Sequence, residues 1–140
     1  MAISCVSILA STASGAALEI RTPATTRAKV IELCAQDVGA VQSTRGVGRP
    51  SAIGVAPVSS PLIMQNPADG ISQLTYATVW NTSNPTSPPV FHRRQIVGTQ
   101  AGYNIIWTFP VGLVIPVSGT IVVWNFTSAA ATTWNVVVDE

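Results

Sequence analysis

The chain has 140 residues, enough for one domain, and a domain of that size buries roughly 70% of the surface its unfolded chain exposes without a metal or a disulfide. Charged residues make up 9% of it against a usual value of about 25%, and seven basic against six acidic side chains leave a net charge of +1. That balance excludes long-range steering onto nucleic acid or anionic lipid, excludes the disordered class, and favours a protein that ends packed against others.

In chain order, residues 1–15, "MAISCVSILASTASG", carry an apolar run but lack the basic start of an export signal, so no export is expected. No window holds about 18 uninterrupted apolar residues, which excludes a spanning helix. Ile3 to Leu9 is predicted as a strand at an edge or exchanged with a neighbour, making residues 1–15 an arm that contacts another subunit. "ALEIRT" alternates Leu18 and Ile20 with Glu19 and Arg21, the period of a half-buried strand. "TRAKVIELCAQDVGA" has helix-friendly residues, yet its crowded Val30, Ile31, Leu33 and Cys34 favour a strand.

Between Gln42 and Asn66 the text turns to Gly and Pro, "GVGRPSAIGVAPVSSP", and a long ordered loop is predicted there. "WNTSNPTSPPVF", Trp80 to Phe91, is a second Pro-rich loop of the kind that packs on a partner. From Arg93 onward "RRQIVG", "YNIIWTFP", "GLVIPV", "TIVVWNF" and "TWNVVVDE" read as strands at short intervals, with a turn at Pro116 to Gly119. The whole is an all-β sandwich or barrel.

Thr108 to Asn125 contains no formal charge. Val122, Trp124 and Phe126 share one face there and Ile121 and Val123 the other, while Trp134, Val136 and Val138 share a face of the last strand. A strand apolar on both faces must be covered on both. One cover is an opposing sheet; the other is a long loop or a second subunit. Trp107, Phe109, Trp124 and Trp134 are the predicted core rings.

Catalytic constellations are missing from the text. His92 in "FHRRQ" has no nucleophile motif beside it, and Arg93 and Arg94 are sent to opposite faces by strand alternation. "GVGRPS" lacks the third glycine and the following helix of a dinucleotide fingerprint. Paired carboxylates for acid and base work are not available, so no enzyme, cofactor or metal is expected. Cys5 and Cys34 are either free thiols or, if they fall on neighbouring strands, a disulfide. The sequons at Asn81 and Asn125 are chance matches in a chain with no export signal. Tyr76, Trp80, Phe91 and Tyr103 are either a sugar-stacking platform or core and subunit-contact residues.

From Phe91 to Glu140 the succession of "WTFP", a "GL" turn, "IPVSG", "VVWN" and a terminal "VVVDE" resembles small structural proteins of tailed bacteriophages, and "GVGRPSAIGVAP" does so more loosely. Among these the chain looks like a capsid decoration, or cement, protein. The resemblance implies a single domain over 1–140, a jelly-roll-like antiparallel β-sandwich with long Pro/Gly-rich loops, that trimerises and sits on the capsid exterior. Its partners would be itself and the major capsid protein, with no direct nucleic acid and no membrane, and it would be made in the bacterial cytoplasm. Trp80, Phe91, His92, Arg93 and Arg94 are the candidate interface residues. The alternative is a host-receptor or carbohydrate-binding module of a tail or head fibre.

Overall fold

The computed structural model describes residues 2–100 and 102–140. Its strands are β1 (Ile3–Leu9), β2 (Gly15–Arg21), β3 (Ala28–Asp37), β4 (Ser43–Gly48), β5 (Val55–Pro61), β6 (Ile63–Met64), β7 (Thr75–Ser83), β8 (Phe91–Val97), β9 (Asn104–Ile115), β10 (Thr120–Asn125) and β11 (Thr132–Asp139). A 3-10 turn, Pro67–Asp69, is capped by the Asn66 side chain, which accepts from Ala68 N. Sheet A runs β6-β1-β11-β3-β9 and sheet B runs β5-β7-β2-β10-β4-β8, with every pairing antiparallel.

The topology follows from one long ribbon. β1 pairs with β11, β2 with β10, β3 with β9 and β4 with β8, so the first four strands run antiparallel to the last four in reverse order. Wrapping that ribbon sends alternate pairs to opposite sheets, giving the four-on-four order β1-β11-β3-β9 against β2-β10-β4-β8. This is the jelly-roll sandwich. Residues 49–90 are the ribbon's tip, and they cross to the far side of the molecule. There β5 and β7 extend sheet B beyond β2, and β6 extends sheet A beyond β1.

β1 pairs along its whole length with β11, while β6 meets only its Ser4 and Cys5, so from Val6 to Leu9 the strand has no second strand beside it among the described residues. Two expectations are corrected here. The predicted loop from Gln42 to Asn66 contains β4 and β5, because pairing partners distant in sequence accept Gly and Pro: β4 rests on β10 and β8, and β5 is an outermost strand where proline is tolerated. The strands expected on either side of Pro110 are one, β9. It bulges, with Phe109 to Gly112 opposite the single Ile31, and Gly112 takes the left-handed φ of 75° that the bulge requires.

The turn at Pro116 to Gly119 forms as predicted. Gly119 N donates to Pro116 O at 2.9 Å, Ser118 takes a φ of 52°, and Thr22 locks the turn by donating its own N–H to Gly119 O at 3.0 Å while its hydroxyl accepts from Gly119 N at 2.9 Å.

Between the sheets lies one large core, containing Leu18, Ile20, Val30, Leu33, Ile121, Val123, Val136 and Val138. Trp107 and Trp134 meet at its centre, ring centroids 5.7 Å apart and planes tilted by 40°, a geometry favoured by the ring quadrupoles. Phe109 is also buried, while Trp124 is half-buried on the opposite face of β10. Arg45 of β4 enters the sandwich and meets Asp37 of β3 at 2.6 Å, and Thr132 donates to the same carboxylate oxygen at 2.7 Å. This buried ion pair is the polar tie between the two sheets.

Trp134 has no exposed surface, so Trp134→Ala should lower the unfolding free energy by about 3–5 kcal/mol in denaturant titration. A loss under about 1 kcal/mol would place the ring outside the cooperative core.

Candidate functional site

The outer face of sheet B is where the ribbon's tip does its structural work. Ala16, Ala77, Trp80 and Val122 form a second apolar cluster there, with Trp124 packed at its margin. Two arms of the tip cross this face side by side, joined where Ala52 N donates to Thr86 Oγ1 at 2.9 Å and Thr86 N donates to Ala52 O at 3.0 Å. Beneath them Glu19, with no exposed surface, accepts from Trp80 Nε1 at 2.6 Å, Thr120 Oγ1 at 3.0 Å and Gly54 N at 3.3 Å. Arg21 pairs with the same carboxylate at 2.7 Å and also donates to Gly54 O. The indole lies so close to Gly54 that a Cβ there would stand 2.1 Å from Trp80 Cδ1. The long loops of the sequence are thus a cover held down by one buried carboxylate.

This placement moves Trp80 from a candidate interface residue to the inside of the subunit. Phe91, His92, Arg93 and Arg94 lie together on β8, the last strand of sheet B. The Phe91 and Phe126 rings are 4.8 Å apart, and the Arg94 guanidinium lies 4.1 Å from the Phe126 centroid. On the other face of the strand Arg93 sits 5.4 Å from the Phe109 centroid, a cation–π contact across the corner where β8 meets β9. Alternation along β8 therefore separates the two arginines as expected.

Arg49, which sequence reasoning passed over, completes the cluster. One of its nitrogens donates to His92 Nε2 at 2.9 Å and the other to Val114 O at 2.6 Å. Since the guanidinium can only donate, the ring accepts through Nε2 and carries its proton on Nδ1. Partial burial lowers the His92 pKa below 6.5, and the charges of Arg49 and then Arg93 lower it further. No signal in the sequence joins residues 49 and 92; only the β4–β8 pairing does.

The other marked residues are dispersed. Tyr76 is in the inner core, where burial pushes its hydroxyl pKa well up, and Tyr103 is half-exposed beside the β8–β9 turn. With Trp80 covered, the four aromatics do not make a sugar-stacking platform. Cys5 and Cys34 are free. They lie on β1 and β3 with β11 between, and two strand spacings of about 4.8 Å exceed the reach of a disulfide. "GVGRPS" is the end of β4 and the start of the covering arm, with no helix after it. Asn125 is buried and donates to Ser11 O at 2.9 Å and Ala13 O at 3.1 Å, which leaves it no room for a glycan. Among the described residues there is no cluster of three metal-ligating side chains, and no helix long and apolar enough to cross a membrane. An open groove of about 360 Å³ lies at the opposite end of the molecule, lined by Leu62, Ile63, Met64, Pro67 and Ile71.

Comparison of the chain with protein-family models, with curated proteins and with solved structures finds no match.

Glu19→Ala would strand the buried donors of Trp80, Thr120 and Arg21, and should cost about 3–5 kcal/mol. The covering arms at residues 49–54 should then be cut early in limited proteolysis, before β10 or β11 is lost.

The His92 contact predicts a pH dependence of definite sign. The folded ring holds a proton less tightly than the unfolded one, whose pKa is 6.5, so the unfolded state binds more protons as pH falls through that value. Urea midpoints should be level on this account above pH ~7 and decline below ~6.5, and His92→Gln should remove that component of the decline.

Proposed function

We propose that this protein is a cement protein of a phage capsid: a homo-oligomer, trimeric by the resemblance, that binds the outer surface of the shell through its major capsid protein and stabilises it by burial. The observation that carries the reading is the amount of apolar side chain left outside a well-filled core. Ile63, Ile71, Val90, Ile106 and Val111 are each 62–87% exposed. On the outer face of sheet A, Ile63, Cys5 and Val137 stand in one cross-strand row, Ile3 lies in the row on one side of it and Ile106 in the row on the other, with Leu9 one row beyond Ile106. Exposed apolar side chains in this number, even set among small polar residues such as Ser7 and Asn135, favour contact with other proteins, and the 9% charge content leaves little to keep them wet.

A standard interface buries about 1,600 Å². A subunit that binds only the assembled lattice shifts the shell toward the intact state by RT ln(1 + [L]/Kd) at each site, and the sites are many. Nothing in this mechanism needs a reacting group, in keeping with the absence of paired acids in the sequence. The receptor-binding alternative finds no support in the aromatics that prompted it, since Tyr76 and Trp80 are inside the subunit.

Particles prepared without the protein should release their DNA at a lower temperature than complete particles heated beside them. An unchanged release temperature, or cryo-EM density for the protein at the tail tip, would sink the cement reading and promote the receptor module.

A further inference from the structure

β8 ends sheet B with its outer edge open. Among the described residues its backbone pairs only with β4, so alternate N–H and C=O groups point away from the sheet. Four consecutive side chains, Arg93 to Ile96, are exposed, as they are on a strand covered on neither face. Arginines on such an edge also discourage unwanted pairing, and here they oppose a symmetric β8–β8 contact, which would set Arg94 near its own copy.

Three features go beyond that protective role. The cations are held in place: Arg93 is stacked on Phe109, Arg94 on Phe126, and Arg49 is bonded to His92 and Val114 O. They are also unanswered, because the two ion pairs among the described residues use Arg21 with Glu19 and Arg45 with Asp37. Finally, exposed Val90 and Ile96 bracket them, so the edge offers apolar contacts at both ends of a charged centre.

We infer that the β8 edge is a docking site for an acidic extended segment of another polypeptide, which adds to sheet B as a further strand. Arg93 and Arg94 project from opposite faces of β8, so the matching segment carries two adjacent carboxylates, one for each face, between β-branched residues. The chain's own adjacent acids are not free for this. Asp139 is paired with Ile3 and Lys29 in the middle of sheet A, and Glu140 accepts from Gln73 N at 2.9 Å and from Ser72 Oγ. A partner chain must therefore supply the segment. This inference stands apart from the cement reading, since it concerns the chemistry of the edge and not the identity of the particle.

The test uses the purified full chain and a synthetic peptide of about nine residues, alternating Thr and Val around a central Glu-Glu pair. Calorimetry should show saturable binding, with amide chemical shifts moving along residues 91–97. Replacing Glu-Glu by Gln-Gln should weaken binding about tenfold or more, as should Arg93→Gln with Arg94→Gln in a protein whose melting curve is unchanged. Methylating alternate peptide nitrogens should abolish binding, because strand addition needs those donors. Equal binding by the Gln-Gln or the methylated peptide would overturn the inference. So would shifts centred on residues 62–72, equally strong occupation of β8 by a short duplex oligonucleotide, or self-association of the chain through β8. These outcomes leave the heat-release experiment on particles unaffected, so the two readings fail separately.

Discussion

The structure depends on covering both faces of β2 and β10. These neighbouring strands lie in the middle of sheet B, and Leu18, Ile20, Ile121 and Val123 face the sandwich core while Ala16, Val122 and Trp124 face outward. The inner face is covered by sheet A. The outer face is covered by the two arms of the 49–90 segment, which explains why so long a tip is inserted into the jelly-roll ribbon and why it is rich in Gly and Pro. An arm lying flat on a sheet cannot also pair with it, so its polar backbone needs other partners. Glu19 and the Ala52–Thr86 pair supply several of them.

Placing a carboxylate under that cover carries a desolvation cost that only full satisfaction offsets. Glu19 is nearly saturated, with Trp80, Thr120, Gly54 and Arg21 around its two oxygens. The second buried pair is less complete. Arg45 meets Asp37 by distance, yet Arg45 Nε and Nη2 and Asp37 Oδ2 have no protein partner among the described residues. Such a pair adds little net stability compared with a packed apolar core, and breaking it by removing one partner would leave the other charge buried and uncompensated between β3 and β4. Both pairs withdraw charge from the exterior of a molecule that has little to begin with.

What remains outside is divided. The open face of sheet A presents scattered Ile, Val and Leu among small polar residues, while the β8 end gathers Arg49, His92, Arg93 and Arg94 on an aromatic footing. The proposed role on a capsid and the proposed strand addition at β8 both follow from that division: broad apolar contact from one region, orientation and selectivity from the other.

The sequence by itself determined what short-range stereochemistry determines. Alternation in β2, β10 and β11 assigned their side chains to the correct faces, Pro116 to Gly119 named its own turn, and the shortage of helix signals bounded the fold. It could not place β4 and β5, whose Gly and Pro read as loop until β10, β8 and β7 are set beside them. Nor could it tell that β11 separates Cys5 from Cys34, that Trp80 is roofed by Gly54, or that Arg49 reaches His92. Each of these rests on a pairing between residues tens of positions apart. In a sheet protein the partner that decides whether a backbone group is satisfied or a side chain is buried is brought by the tertiary fold, and no local pattern encodes it.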